Sequence, residues 1–212
     1  MSDTKPLTRK EQILVVSLTL FNNVGVANLA VIDIANEMDI SPGNLYYHYK
    51  GKSEILSALL DCYEETLNGA FRKSTEKGVE GKDSWLPLYA LLELMFRYRF
   101  LFRNILDIKS NYPDAEGTIN RILLTKYSIV VDILTAITAP YSNEPGSEVP
   151  ADIVMVMILN WFDFRALAAP GEKMRTLVHS GMIRIERLLA PYCSVEMCAF
   201  MRLSNENYVD VV

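Results

Sequence analysis

The sequence predicts an all-α protein with a short head of three helices followed by a longer helical body. Apolar residues recur at spacings of three and four along most of the 212 residues, which is the period of amphipathic helices. Helix-start signals, such as the pair Ser41-Pro42, precede several of these stretches. Half of the residues are hydrophobic, so the chain has enough apolar surface to bury a packed core.

The charge of the chain is unevenly distributed. The formal net charge is −5, and residues 1–53 hold five basic and five acidic side chains, so the excess acid lies in the body. Such a chain is not expected to coat nucleic acid indiscriminately. Attraction to DNA would have to come from a few placed cations and from helix N-termini. On charge alone, an acidic protein without any role on DNA is an equally good interpretation.

The cysteines and the apolar runs exclude several classes of protein. Cys62, Cys193 and Cys198 are odd in number and widely spaced, so we expect reduced thiols in the cytoplasm and no disulfide scaffold, metal or cofactor. The polar opening of the sequence predicts no cleaved signal peptide. The longest apolar run, residues 153–164, is shorter than the ~18 residues of a membrane span. No membrane partner is therefore expected.

Two helices are predicted before residue 40. The first covers 9–24, because Thr8 and Glu11 form a capping box at its start and Gly25 is suited to its end. The second covers about 31–38. Both carry apolar residues at helical spacing, so we expect them to pack on the helix that follows.

A tight turn leads into a very short third helix. Ser41 offers a capping oxygen, and proline fits the next position, so this helix runs from Pro42 to Tyr47 or His48. Its expected inward anchors are Leu45 and Tyr49. Its outward residues, none of them acidic, are Pro42, Gly43, Asn44, Tyr46 and Tyr47. Two short helices joined in this way are typical of the helix-turn-helix, whose second helix enters the major groove of DNA.

This stretch resembles the TetR family of bacterial transcriptional regulators. The resemblance covers roughly residues 9–60 and lies in the ordered set S-P-G-N-L-Y-Y-H-Y-x-x-K behind an L-F-x-x-x-G helix. It implies a DNA-binding domain over 1–53 and a helical effector-binding and dimerisation domain over 54–212. It also implies a homodimer on a palindromic operator, most simply a repressor that a small molecule releases.

The predicted DNA contacts lie in the head. Asn44 is suited to paired hydrogen bonds with adenine, and Gly43 lets the backbone approach the bases. The tyrosines, His48 and Lys52 are expected at phosphates. The full set is Arg9, Lys10, Ser41, Pro42, Gly43, Asn44, Tyr46, Tyr47, His48 and Lys52. The alternative for each tyrosine is core packing, and for His48 a purely structural role.

The second helix departs from the family pattern. The position before it usually holds serine or threonine, and here it is Ala30; losing such a cap typically costs about 0.5–2 kcal/mol. Asp33 suits the helix dipole but would repel phosphate, and Ile32 is apolar. We therefore expect the third helix to carry most of the base reading.

The body is predicted to contain five long helices. They cover about 52–77, 85–108, 115–137, 151–168 and 172–189, and the tail after Pro191 is expected to form a short final helix at best. Polar stretches rich in glycine or proline at 77–82 and 139–150 are expected loops.

The helix over 85–108 is apolar nearly all round, which predicts burial on every side. Its RYRFLFRNI segment resembles a segment of one TetR subgroup. One interpretation is an aromatic-walled cavity with a cationic floor for an anionic amphiphile. The predicted lining is Leu92, Phe96, Arg99, Arg103, Tyr127, Asn160 and Trp161. The alternative is that Arg97, Arg99 and Arg103 form internal salt bridges.

The last two long helices carry strong apolar stripes. In a family relative these stripes suggest a four-helix dimer interface, with Gly181 allowing close crossing. The predicted interface residues are Met157, Trp161, Phe164, Met174, Leu177, Val178, Gly181, Met182 and Ile185. The alternative is that both stripes are buried within one chain.

Two other functions fit the sequence less well. An enzyme would need a nucleophile–base pair, metal-ligand spacing or a phosphate-binding loop, and we find no such pattern in the sequence. A helical protein-interaction module would leave the basic, aromatic run over 44–52 unexplained. We therefore expect a DNA-binding regulator.

Overall fold

The computed structural model describes residues 6–75, 81–138 and 151–210, and the regular elements in these ranges are helical. The α-helices are α1 (Arg9–Val24), α2 (Val31–Glu37), α3 (Pro42–His48), α4 (Lys52–Thr75), α5 (Gly81–Arg97), α6 (Arg99–Arg103), α7 (Ile105–Asn111), α8 (Glu116–Thr138), α9 (Ala151–Ala168), α10 (Met174–Leu189) and α11 (Val195–Asp210), with 3-10 turns at Pro113–Ala115 and Ala190–Tyr192. The predicted all-α class is confirmed. Residues 77–80 of the loop expected over 77–82, and the whole loop expected over 139–150, lie outside the described residues. Gly81 and Lys82, which were expected in the first loop, begin α5 instead.

The chain divides into two compact units. Unit 1 contains residues 1–65 and 98–120, and unit 2 contains residues 66–97 and 121–212. The division falls inside α4 and again inside α8, so each of these helices contributes residues to both units. The functional domains expected over 1–53 and 54–212 stay a prediction, because residues 98–120 are grouped with the N-terminal helices.

Unit 1 is built around one apolar core. The largest contributions come from side chains that are at most 1% exposed, namely Ile13, Phe21, Ile34, Leu45, Tyr49, Ile55, Leu56 and Leu60. Helix α6 joins this core, since the rings of Phe21 and Phe100 lie 5.4 Å apart. The short helices α2 and α3 are too brief to be stable alone, so this burial keeps them folded.

The long helix expected over 85–108 is not continuous. Non-helical backbone at Tyr98 (φ −112°, ψ 33°) and at Asn104 (φ −132°, ψ 38°) divides it into α5, α6 and α7. The N–H of Phe100, which in a continuous helix would bond four residues back, donates instead to the Oδ1 of Asn22 at 3.0 Å. A tertiary hydrogen bond has thus replaced a helical one, and apolar periodicity contains no signal for it.

Unit 2 is organised around α10, whose apolar face is buried against α5, α9 and α11. Helix α11 is far longer than the short tail helix expected, because its polar residues are anchored. The hydroxyl of Tyr89 donates to Asn205, the Asn205 amide donates to Glu186 at 2.6 Å, and Tyr208 donates to Glu93 at 2.6 Å. These buried and partly buried bonds stabilise a helix that its sequence alone would leave marginal.

Within the described ranges, no helix is both long and apolar enough to cross a membrane. The histidine, cysteine and acidic side chains of the same ranges form no cluster that could hold a metal ion. All three cysteines are free thiols.

Candidate functional site

Helix α3 presents a polar, aromatic face to solvent. The Oγ of Ser41 accepts the N–H of Asn44 at 3.2 Å, and proline follows at the first helical position. Leu45 is fully buried, which turns the opposite face outward. The exposed residues are Ser41, Pro42, Gly43, Asn44, Tyr46 and Tyr47. The two tyrosine side chains are 51% and 85% exposed, so the alternative of core packing does not apply to them.

His48 and Tyr49 end the helix in different environments. The His48 ring is half-buried and meets the Tyr47 ring edge-on at 5.1 Å, so His48 supports that tyrosine at the surface. Tyr49 is 1% exposed, as expected of an inward anchor. Its burial raises the pKa of its hydroxyl to about 12, and the hydroxyl donates to the carbonyl of Lys10 at 3.5 Å.

The first turn of α1 places two cations beside this helix. Arg9 and Lys10 are both exposed. The Lys10 ammonium lies 5.2 Å from the centroid of the Tyr49 ring, a cation–π distance. Tyr49, which anchors α3 in the core, therefore also positions Lys10 of α1. The phosphate contacts expected of Arg9 and Lys10 remain predictions.

The turn between α2 and α3 contains a strained residue. Asp39 has φ of 52°, a left-handed conformation that favours glycine but that aspartate tolerates better than most residues. The N–H of Ile40 donates to the carbonyl of Ala35 at 3.0 Å and closes the turn. This backbone geometry sets the direction in which α3 leaves α2.

Helix α2 begins as the sequence predicted, without a capping side chain at Ala30. Half of a capping box survives, because the carboxylate of Asp33 accepts the N–H of Ala30 at 2.7 Å. This bond offsets part of the missing cap. The exposed acid and the exposed Ile32 both disfavour phosphate contact by α2.

Lys52 differs from the other predicted contacts. Its Nζ donates to two backbone carbonyls of the α1–α2 linker, those of Val26 and Leu29, each at 2.7 Å. Two of the three ammonium hydrogens are thereby used. Sequence reasoning missed this role because the acceptors are backbone atoms, which carry no residue-specific signal.

The residues of the predicted effector pocket are divided between the two units. The break at Tyr98 removes the common helix face, since Leu92 and Phe96 belong to unit 2 and Arg99 and Arg103 to unit 1. Burial and the neighbouring Arg103 lower the pKa of Arg99.

Three other residues of the predicted pocket lie in unit 2 with separate surroundings. Trp161 is 5% exposed, and its indole N–H donates to the carbonyl of Leu177 at 2.8 Å. The Asn160 amide donates to the carbonyl of Val156 in its own helix, and Tyr127 is 44% exposed. A single cavity lined by these side chains and Arg99 stays a prediction.

Unit 2 contains two concave regions that sequence reasoning did not anticipate. One, of about 390 Å³, lies between α4 and α8 and is lined by Leu67, Asn68, Phe71, Thr125, Ser128, Ile129 and Asp132. The other, of about 700 Å³, is a groove between α10 and α11 lined by His179, Ile183, Glu186, Arg187, Ala190, Arg202, Asn205 and Glu206. The region between α4 and α8 has an apolar base and a polar rim that includes the acidic Asp132. The effector cavity predicted from the sequence has a cationic floor instead.

Most of the predicted dimer residues are buried within the single chain. Trp161, Leu177, Val178, Met182 and Ile185 are 0–6% exposed, and Gly181 is buried as well. A methyl group on Gly181 would lie 3.0 Å from the Nε1 of Trp161 and 3.1 Å from the Cδ2 of Leu92. Gly181 does allow a close crossing, but the crossing is inside the chain.

Helix α9 nevertheless keeps a second, exposed apolar stripe. Met157 is half-buried, while Phe164 and, on α10, Met174 are exposed. The exposed fractions along α9 are 51% for Ile153, 62% for Val156, 59% for Phe164 and 87% for Leu167. These positions recur at helical spacing on one face, which is the pattern of a helix that packs against a partner.

One buried cation was also missed. Lys126 in α8 is 0% exposed, and burial lowers its pKa well below the usual range for lysine. The sequence contained a signal, because Lys126 falls on the same helical stripe as Ile122, Ile129 and Val130.

Comparisons with known proteins match nearly the whole chain. The family model described as "Bacterial regulatory proteins, tetR family" matches residues 13–59, and the TetR model described as "Bacterial transcriptional repressor" matches residues 62–199. The negative transcriptional regulator IcaR of the Staphylococcus aureus biofilm operon icaADBC is 28% identical over 103 residues, 49% of each protein. The chain thus spans about half the length of the curated relatives it matches.

Solved structures show the same fold. A TetR-family regulator from Marinobacter aquaeolei superposes with a TM-score of 0.81 and 23% identity, covering 95% of this chain and 99% of that one. The ketosteroid transcriptional regulator KstR2 of Mycobacterium tuberculosis superposes with a TM-score of 0.60 and 17% identity, covering 90% and 97%. At these identities the likeness concerns the fold alone.

Proposed function

The chain belongs to the TetR family of bacterial transcriptional regulators, and from that premise we propose that it is a homodimeric repressor released from its operator by a small molecule. The description of IcaR as a negative regulator supports repression over activation. Because bacterial operators lie in the cytoplasm, this function requires the protein to act there. We expect no catalytic activity.

The observation that carries the proposal is the exposure of α3. A helix of seven residues that buries Leu45 and leaves Tyr47 85% exposed is suited to insertion into a groove. Asn44, at its N-terminal end, offers a side-chain amide to base edges. The hydroxyls of Tyr46 and Tyr47 are suited to phosphates, with Arg9 and Lys10 adding charge that increases affinity without reading sequence.

We propose that the partner in the dimer is a second copy packed on α9. One α3 reads only a few base pairs, and two copies held about 34–36 Å apart would read successive major grooves of a palindrome. Phe164 supports this face, since its ring lies 6.1 Å from that of Trp161. The exposed guanidinium of Arg184 lies 4.5 Å from the centroid of the Trp161 ring, and arginine is enriched in interface hot spots.

We further propose that the effector binds in the α4–α8 cavity. Leu67, Phe71 and Ile129 offer an apolar base, and Asp132 is the one charged group among the lining residues. An amphiphile with a cationic or donor-rich end fits this lining better than the anionic one expected from the sequence. The effector acts only through its different affinity for the DNA-bound and free states.

Selection from a randomised duplex library tests the DNA-binding function directly. We expect an enriched inverted repeat with half-sites 10–10.5 bp apart, or a multiple of that spacing. No sequence enrichment at moderate salt would overturn the proposal. Tyr47→Ala should abolish binding to the selected duplex while helical content is retained, and Tyr127→Ala, which alters another exposed tyrosine, should leave binding unchanged.

A further inference from the structure

Lys52 occupies an unusual place in the head. It is the first residue of α4, where the positive end of the helix dipole disfavours a cation. The side chain is half-buried, and its Nζ lies 2.7 Å from the carbonyl oxygens of both Val26 and Leu29. Two negative ends of peptide dipoles therefore offset the unfavourable position, and the ammonium is directed towards protein.

The two carbonyls belong to the segment that determines where α2 begins. The segment follows Gly25, whose φ of 84° suits glycine, and the side chains of Val26 and Leu29 are 2% and 6% exposed. Helix α2 starts two residues after Leu29. A shift of these carbonyls would therefore move the start of α2.

Helix α2 in turn sets the position of α3. The N–H of Ile40 donates to the carbonyl of Ala35 in α2, and the strained backbone of Asp39 fixes the turn. The position of α3 therefore depends on α4 through a series of contacts. The Lys52 ammonium of α4 binds the linker carbonyls, the linker sets the start of α2, and α2 sets the position of α3. Loss of the ammonium would remove the two hydrogen bonds to the linker carbonyls, so that the linker would be held less firmly.

We propose that Lys52 is a positioning residue, which holds the α1–α2 linker so that α3 is presented correctly. The consequence for DNA binding rests on the proposed function. The tether itself does not, because it is a property of the protein without DNA.

The test uses the full-length protein and the duplex recovered by selection with the wild type. Affinity is measured between 50 and 200 mM salt for the wild type, Lys52→Met, Lys52→Arg and the control Lys50→Met, which removes the same charge from an exposed position two residues away. Amide hydrogen exchange of residues 26–35 is measured on each protein without DNA. Each phosphate contact contributes about 0.9 to the slope of log affinity against log salt.

Lys52→Met should weaken binding at least about tenfold and should speed exchange in residues 26–35. Lys50→Met should leave that exchange unchanged. A slope that falls by about 1.8 per dimer, with exchange unchanged, would show a phosphate ligand and overturn the proposal.

Lys52→Arg distinguishes the two roles even if Lys52→Met fails to fold. Arginine binds phosphate at least as well as lysine, so a phosphate ligand would keep its affinity. Arginine is longer, and its donors lie in one plane, so we expect it to fit the half-buried site of the ammonium poorly, and a positioning residue should lose affinity and exchange protection. If the wild type selects no duplex, the proposed function fails, and the exchange measurements still decide whether the tether exists.

Discussion

The side-chain oxygen of Asn22 in α1 accepts the backbone N–H of Phe100 in α6 at 3.0 Å, in the interior of unit 1. Asn22 is 7% exposed, and the ring of Phe100 packs on Phe21 one residue earlier in α1. A polar and an apolar contact therefore fix α6 to the same turn of α1. These two contacts connect α6, which lies within the body segment RYRFLFRNI, to the first helix of the head.

Replacing Asn22 by leucine should destabilise unit 1. The Phe100 N–H would remain buried without its acceptor, which costs about 1–3 kcal/mol. Denaturant unfolding followed by circular dichroism would measure the loss. Asn23→Leu, at the exposed neighbouring position, is the matched control, and an equal loss in both variants would contradict the assignment.

Replacing Asp39 by glycine should raise stability by up to about 1 kcal/mol, because glycine adopts a φ of 52° without steric cost. Asp39→Ala should lower stability, since alanine tolerates this conformation less well than aspartate. Thermal unfolding of both variants checks the pair. A gain in stability with alanine would mean that the turn changes its backbone conformation.

Replacing the buried Lys126 by methionine should stabilise the protein at neutral pH, because burial disfavours the charged ammonium and methionine is an unbranched side chain without a charge. The folded pKa of Lys126 lies well below its unfolded value. Its destabilising effect is therefore complete below the folded pKa and disappears as the pH rises towards about 10.4.

Unfolding free energies between pH 6 and 10 would check this pH dependence. The difference between Lys126→Met and the wild type should shrink as the pH rises. The exposed Lys173→Met should show a difference near zero throughout. A constant difference for Lys126→Met would mean that Lys126 keeps its proton in the folded state throughout this range, so that its pKa is not lowered.

Replacing Phe164 by aspartate should weaken the dimer. A charge in the middle of the exposed α9 stripe would be desolvated on association, and we expect the dissociation constant to rise at least about 30-fold, which is the effect of a hot spot worth about 2 kcal/mol. Sedimentation equilibrium measures it. Leu106→Asp, at a position 79% exposed on α7, should leave the dimer intact. If Leu106→Asp alone dissociated it, the interface would lie elsewhere.

Replacing Asp132 by asparagine should reduce binding of cationic amphiphiles in the α4–α8 cavity. An alkyltrimethylammonium series below its micelle concentration is expected to raise the midpoint of thermal unfolding, and the variant should lose most of that shift because a charge pair is removed. Fatty acids of equal length should give no shift. Asp152→Asn, an exposed acid on α9, is the control, and a shift with fatty acids alone would favour an anionic effector.

Much of the head could be predicted from the sequence because its signals act over a few residues. Thr8 with Glu11 and Ser41 with Pro42 start α1 and α3 at the expected positions. The alternation of Leu45 and Tyr49 with exposed tyrosines follows from helical spacing within one turn. Capping and periodicity depend on neighbours along the chain, and a sequence contains those neighbours directly.

The sequence by itself therefore determined the helical class, the start of α3 and which side chains of α3 face outward. Only the tertiary structure decided that Asn22 interrupts a long helix 78 residues away, that Lys52 holds backbone carbonyls of the α1–α2 linker, and that the stripe of α10 is covered within its own chain. A helical stripe specifies that a face must be buried, since apolar surface is driven from water. It does not specify the partner, which depends on contacts between residues far apart in the chain.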